Sequence, residues 1–249
     1  MPKSVRAIVL RRFDSGDSDR RLILLTREAG KLTAVAKGAR KSASRLGSIS
    51  EPLSTAVMNL AEGKRQWYVT QAQALRSYPG IRKDYERLIF GLALAELYAA
   101  VVPQDLVQPE TYDLLEKSLG AIEMHPKPAV ALVWSQVMLL QSEGFLPDFN
   151  SCVVTGETLI GPLVFISPNA GGPVSELQAQ RHSDRYKVRI EILWGLSKIA
   201  DLAEPPANLK FAEETLLALR PIWESVAEMA LTANDAVMQE IRAKLNEKA

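Results

Sequence analysis

The chain has 249 residues, 47% hydrophobic and 24% charged, the composition of a globular protein long enough for one large domain or two of ordinary size; disordered and collagen-like chains are excluded. Its 30 basic and 29 acidic side chains leave a formal charge of +1, which by itself points to no polyanionic partner. The single cysteine, Cys152, excludes an internal disulfide framework and a thiolate metal cage.

The first 80 residues read as β. Short segments rich in β-branched and aliphatic residues, Val5 to Leu10, Leu22 to Thr26, Leu32 to Ala36, Ala56 to Leu60 and Trp67 to Gln71, are separated by Asp14-Ser15-Gly16-Asp17, Ala29-Gly30, Gly38 and Glu62-Gly63. Five short strands in so little chain suggest a small barrel, because closure removes the exposed edges of a flat sheet. The strand count suits an OB-fold, and an SH3-like barrel fits the pattern nearly as well.

From Ile81 the apolar period becomes helical. Leu88, Leu92, Ala95, Leu97 and Val101 mark a first helix, Tyr112, Leu115, Leu119 and Ile122 a second, and Val130, Val133, Trp134, Val137 and Leu140 a third. Later helices are expected over Arg185 to Leu202, Ala212 to about Leu231 and Asp235 to Leu245, with Pro221 starting a new helix or kinking the old one and Asn234-Asp235 as an N-cap. Between them, Leu146 to Gln180 is rich in Gly and Pro and holds two β-like runs, Cys152 to Val154 and Leu163 to Ile166, suggesting a hairpin module inserted in a helical domain. The expected architecture is α+β: a barrel domain over 1–80, a helical domain over 81–249, and the module over 146–180.

Charge divides along the same line. Residues 1–80 carry 15 basic and 6 acidic side chains, a net of +9, and residues 81–249 carry 15 basic and 23 acidic, a net of −8. Such asymmetry points to a nucleic-acid or membrane partner for the basic part. The uncharged apolar run Pro128 to Ser142 falls short of the roughly 20 residues that cross a bilayer. No membrane partner is expected, and the opening Met-Pro-Lys-Ser-Val-Arg, without an apolar signal region, suggests a cytoplasmic protein.

The densest basic segment runs from Lys37 through Arg40 and Lys41 to Arg45, four cations in nine residues rich in Gly, Ala and Ser. A flexible loop of this kind lets the backbone approach phosphates while the cations neutralise them, with counterion release driving the binding. Arg11, Arg12, Arg20 and Arg21 would widen the same positive face if the barrel closes as proposed. Tyr68 and Trp67 could stack on bases, although strand alternation turns them to opposite sides and makes Trp67 a core candidate. The plain alternative is a charged loop that is only solvated.

Other chemistry is sparse. Cys152, Thr155, Ser175 and Gln178 have the spacing of a zinc ribbon with three thiols missing, and the last three cannot replace thiolates, so a metal-free hairpin is expected. His125 precedes Pro126 at a helix end, and Arg181-His182-Ser183-Asp184 reads as a helix N-cap through Ser183 or Asp184. Glu213-Glu214 reads as a solvated first turn. Walker A, G-x-G-x-x-G and H-E-x-x-H patterns are absent, so neither catalysis nor a cofactor is expected.

One resemblance is specific. Arg6 to Arg12, Ser18-Asp19-Arg20-Arg21-Leu22, Leu25 to Leu32 with Lys31, Val35 to Lys41 with its Ala36-Lys37-Gly38-Ala39-Arg40 loop, Ser44-Arg45-Leu46 and Glu51-Pro52-Leu53 are similar to the bacterial recombination mediator family RecO, as is the order of barrel, helices, Cys-and-Gly module and further helices. The resemblance spans about residues 1–180. It implies a non-catalytic, nucleoid-associated DNA repair and recombination protein with an N-terminal OB-fold. Such a protein binds single- and double-stranded DNA, anneals complementary strands, engages the SSB C-terminal tail and RecR, and helps RecA load onto SSB-coated strands. It also implies that the family's basic loop is Lys37, Arg40, Lys41 and Arg45, with Lys31 nearby on the DNA-binding side, and that Cys152, Thr155, Ser175 and Gln178 stand where many members have zinc-binding cysteines. Two other readings are an RNA-directed OB-fold adaptor and a non-catalytic protein-interaction scaffold.

Overall fold

A computed structural model describes residues 3–247. Strands β1 (Lys3–Ser15), β2 (Asp19–Thr26), β3 (Gly30–Ala36), β4 (Thr55–Glu62) and β5 (Trp67–Arg76) close a barrel in the order β1-β2-β3-β5-β4. All pairings are antiparallel except β3 with β5, which meet in parallel through only Ala34–Trp67 and Val35–Tyr68. A five-stranded closed barrel of this order is the OB arrangement. β1 serves two neighbours: Lys3 to Ile8 pair with β4 and Ala7 to Ser15 with β2, the ladder shifting between Val9 and Arg11. That bulge bends the strand around the barrel.

Alternate residues fill the interior: Val5, Ala7 and Val9, Leu22 and Leu24, Leu32 and Ala34, Ala56, Met58 and Leu60, and Val69. Each large aliphatic chain buried there contributes about 1.5–3 kcal/mol. The short helix α1 (Leu46–Ile49) packs Leu46 and Ile49 against this core.

The chain forms two compact units, Met1–Met124 and His125–Ala249. The first includes the barrel, α2 (Pro79–Lys83), α3 (Tyr85–Val101) and α4 (Pro109–Met124). α3 starts where Asp84 accepts a hydrogen bond from the Arg87 N–H at 3.0 Å. α3 and α4 pack on the outer wall at β1 and β2, which explains why the outward-facing Ile8 and Leu25 are buried. The segment after α3 returns to β3: Gln104 bridges Lys31, and the Asp105 N–H donates to the Lys31 carbonyl at 2.9 Å. Gly30 has φ +71°, and a Cβ there would lie 2.1 Å from the Leu106 carbonyl oxygen, so only glycine fits.

In the second unit α5 (Pro128–Ser142) is buried on nearly every side, packed by α7 (Ile190–Ala200) and α8 (Ala212–Val226), with α9 (Thr232–Glu247) against α8. Both buried indoles are satisfied: Trp134 donates to the Leu202 carbonyl and Trp223 to Gln136 Oε1, each at 2.9 Å. The Gly- and Pro-rich module builds a three-stranded sheet from β6 (Leu163–Ser167), β7 (Gly172–Val174) and β8 (Tyr186–Arg189) in the order β7-β6-β8, with α6 (Glu176–Ala179) after β7.

Four local expectations differ from the structure. Tyr186 to Arg189 form a strand, not the start of a helix, because pairing with Leu163 to Ile166 outweighs the helical period that begins at Ile190. Cys152 to Val154 form a tight turn rather than a strand, closed by Gly156 N–H to the Cys152 carbonyl at 2.8 Å. Pro221 starts no new helix but lies within α8, whose Leu216, Leu219, Ile222 and Trp223 are all buried; this packing offsets the backbone bond that proline forfeits. α9 begins at Thr232, so Asn234 is buried in its first turn rather than capping it.

Candidate nucleic-acid interface

Strand alternation sorts the four arginines at the tip of the β1–β2 hairpin. Arg12 and Arg20 lie on the inward-facing register with Leu22 and Ala36, at the mouth that α1 closes. There Glu51 takes both, at 3.2 Å from Arg12 and 3.1 Å from Arg20. Arg20 is 13% exposed and also donates to the Gly47 carbonyl at 2.8 Å and Ser50 Oγ at 2.7 Å. Arg11 and Arg21 project outward, Arg11 over the exposed ring of Phe13 with its Cζ 5.1 Å from the centroid. The expectation that all four widen one positive face is corrected: Arg20 and Arg12 brace the barrel mouth. Lys31 is corrected as well, since it is 5% exposed and its ammonium donates to the Ala99 carbonyl of α3 at 2.7 Å.

The basic loop is built rather than flexible. Gly38 (φ +65°) donates its N–H to Asp19 Oδ1 at 2.8 Å, Arg40 N–H to the Ser18 carbonyl at 2.9 Å, and Ala39 is buried in the barrel core. These bonds fasten the loop to the β1–β2 turn. Arg40 is spent partly on that turn, 3.4 Å from Asp14 and in reach of the Gly16 and Asp17 carbonyls. Lys37, Lys41 and Arg45 remain exposed, and Lys37 holds its ammonium 4.8 Å from the Tyr68 ring centroid. Tyr68 faces outward, its hydroxyl accepting from Gln66 at 3.0 Å, whereas Trp67 packs against the barrel core.

The β4–β5 turn adds two cations that the sequence reading missed, Lys64 and Arg65, both exposed. A groove of about 650 Å³ runs between that turn and β2 and β3, its lining mixing the cations Arg21, Lys64 and Arg65 with the acidic Glu62 and Asp105 and with Thr33. A second depression, of about 370 Å³, carries Arg45 beside Asn59, Thr70 and Gln71 on β4 and β5. Among the described residues, Arg21, Lys41, Arg45, Lys64 and Arg65 have no acidic partner, and Lys37 has only the Tyr68 ring. Lys64 and Arg65 were legible only as a basic dipeptide after Glu62-Gly63; assigning them to the interface requires knowing that this turn and the basic loop flank the same strands.

In the second unit three of the four degenerate zinc positions come together, Thr155 and Ser175 both donating to Cys152. Cys152 is 1% exposed. Burial alone raises its pKa, but hydrogen bonds from the Thr155 hydroxyl and the backbone N–H groups of Ser175, Thr155 and Val154 outweigh it and bring the thiol down to about 7. These donors do for the sulfur's charge part of what a cation would. Gln178 is buried in α6, and among the described residues no cluster of three or more His, Cys, Asp or Glu side chains is placed to hold a metal. His125 is engaged with the Lys127 and Pro206 carbonyls. Asp184 does not cap a helix; it accepts from the Asn169 N–H at 2.7 Å and Ser167 Oγ at 2.9 Å, fixing the β6–β7 turn. No helix among the described residues is long and apolar enough to cross a membrane.

Comparison with known proteins covers both units. Residues 1–78 match the family described as Recombination protein O N terminal, and residues 82–226 match Recombination protein O C terminal, carrying the likeness through α8. The DNA repair protein RecO of Heliobacterium modesticaldum is 36% identical over 183 residues, 72% of this chain and 66% of that relative. That of Gloeobacter violaceus is 32% identical over 211 residues, 83% of this chain and 81% of the relative, and that of Bifidobacterium animalis subsp. lactis is 36% identical over 169 residues, 67% and 70% respectively. Family matches across the barrel and most of the helical region, together with these relatives, establish that the chain belongs to the RecO family of DNA repair proteins.

Proposed function

We propose that the barrel binds DNA through its outer face and that the protein acts without catalysis, as a mediator that brings complementary strands together. The observation that carries this reading is the set of six exposed cations without an acidic partner, Arg21, Lys37, Lys41, Arg45, Lys64 and Arg65, on the loops and strands around one barrel. Cations held in place by a rigid scaffold neutralise phosphates with little further ordering cost and release counterions. Screening two negative backbones at one site lowers their mutual repulsion, so annealing requires no bond to be made or broken. The second unit, with 11 basic and 15 acidic side chains over residues 125–249, suits protein partners better than DNA. In this proposal the SSB tail and RecR bind the protein, and it helps RecA onto SSB-coated strands.

The test is annealing of complementary strands precoated with SSB, alongside single-strand binding measured against salt. Six phosphate contacts at roughly 0.7 each give a slope of log K on log salt of about −4. Alanine at Lys37, Lys41, Arg45, Lys64 and Arg65 should flatten the slope and slow annealing; unchanged affinity and slope would refute the assignment. Preference for an RNA oligonucleotide of the same sequence would favour the adaptor reading, and no binding of DNA at about 50 mM salt the scaffold reading.

A further inference from the structure

The three-stranded sheet of the second unit has one packed face and one half-open face. On the packed side Val164, Ile166 and Val188 are buried, and Tyr186 donates its hydroxyl to the Ala218 carbonyl of α8 at 2.6 Å. Directly paired residues project to the same side of a sheet. The other face therefore carries Val174 on β7, Phe165 on β6 and Lys187 on β8 in one row, with Leu163 further along β6. The segment from Glu157 to Ile160 joins this face in lining a cavity of about 580 Å³, a size within the range of about 300–1,000 Å³ common for ligand pockets.

That segment is fixed at both ends. The Cys152 N–H donates to the Glu157 carbonyl at 2.8 Å, Ser151 bridges Thr158, and the Ile190 N–H donates to the Pro162 carbonyl at 3.1 Å. Between these ties Leu159 is buried, whereas Ile160 is 87% exposed, and Leu163 in the same lining is 52% exposed. A lone exposed isoleucine is ordinary; one held by its backbone at the lip of an apolar cavity, with a second exposed aliphatic side chain in the lining, is the patch of an interaction site.

Charge decides what fits there. Glu157 and Glu176 stand on the cavity's walls; Glu157 is steadied by Thr155 Oγ1 at 3.1 Å, and Glu176 has no basic partner among the described residues. The cations on the β8 side are drawn over rings, the Lys187 ammonium 5.3 Å from the Phe165 centroid and the Arg189 guanidinium 5.1 Å from that of Phe211. Ser175, another lining residue, has a buried hydroxyl without a hydrogen-bond partner, which an incoming N–H or carbonyl would satisfy. The carboxylates repel nucleic acid and acidic chains. They also oppose a second copy of this chain, whose matching face would bring Glu157 and Glu176 against their own equivalents.

We infer that this cavity docks a short segment of a partner protein in which an aliphatic or aromatic side chain is flanked by lysine or arginine. The apolar side chain fills the space over Leu163, Phe165 and Val174 beside Ile160, and the cation meets Glu157 and Glu176. The inference is independent of DNA binding by the barrel and gives the Gly- and Pro-rich module a use of its own.

The experiment pans a random linear-peptide library against the immobilised full chain, then titrates the enriched peptides, resynthesised, against the unaltered protein, I160D and the double variant E157K/E176K. Enriched peptides should share an aliphatic or aromatic residue next to Lys or Arg. I160D should weaken their binding at least about tenfold and E157K/E176K at least about fivefold, the latter with a smaller dependence on salt. No enrichment, an acidic consensus, or equal binding by I160D overturns the inference. So does a dimer of the full chain in sedimentation that I160D dissociates, since a second copy would then occupy the cavity. Ile160, Glu157 and Glu176 are all exposed, so the variants should melt as the unaltered protein does, and strand annealing should be the same in each.

Discussion

Two pairs of neighbouring arginines, Arg11-Arg12 and Arg20-Arg21, share one hairpin and have opposite uses. Arg12 and Arg20 turn toward the barrel mouth and are tied by Glu51, whereas Arg11 and Arg21 turn outward beside Phe13. The difference comes from a period of two: a one-residue step along a strand moves a side chain through the wall. A basic dipeptide in a barrel strand therefore contributes one inward, structural charge and one outward charge. Counting charges overstates such an interface.

The comparison can be broken by experiment. The largest effect is expected on the built-in side, at G30A, which sets a methyl 2.1 Å from the Leu106 carbonyl oxygen on a residue at φ +71°; a loss of about 4 kcal/mol or more should appear in urea unfolding. R20A should cost about 2–3 kcal/mol by removing hydrogen bonds to Gly47, Ser50 and Glu51, and should leave the salt slope of the folded protein unchanged. A normal melting temperature with a flattened slope would reverse the roles given to Arg20 and Arg21. Combined R21A, K64A and R65A should lower the slope by about 2 with almost no change in melting temperature.

The smallest effect lies in the second unit, where buried hydrogen bonds again hold a charge. With the Cys152 thiol near 7 in the folded protein and its ordinary value at 9.0, thiolate stabilisation is absent below pH 7, grows as pH rises and is complete above about 9. The melting temperature should accordingly rise by a few degrees between pH 7 and 9, and C152S should remove that rise; an identical pH profile would show that the donors around the sulfur do not favour its charge.

Much of the barrel was legible because alternation is local. Each of the five apolar runs became a strand, and the period change at Ile81 marked the helices. The reach of β1 to Ser15 was hidden, since Arg11, Arg12 and Phe13 lack the β-branched signature, and so was its pairing with both β2 and β4. The Lys37 to Arg45 loop was visible as composition, but its fastening to Asp19 and Ser18 was not. Lys31 was misread because its acceptor lies on a helix 68 residues away. Lys64 and Arg65 lie in a turn, where a basic dipeptide carries no local signal, and the helical period beginning at Ile190 masks β8.

The narrow parallel seam between β3 and β5 has a kinetic consequence. Two residue pairs join those strands, and Gln104 and Asp105 cover the part of β3 beyond them. With so few rungs, this is where the barrel should breathe first, and the amides of Ala34 to Ala36 and Trp67 to Val69 should exchange with solvent faster than those of the broad β1–β2 ladder. Tyr68 sits on the seam itself. Any ligand that bridges β3 and β5 would bind only the closed form, so occupancy would act as a clasp and slow exchange at those amides by mass action.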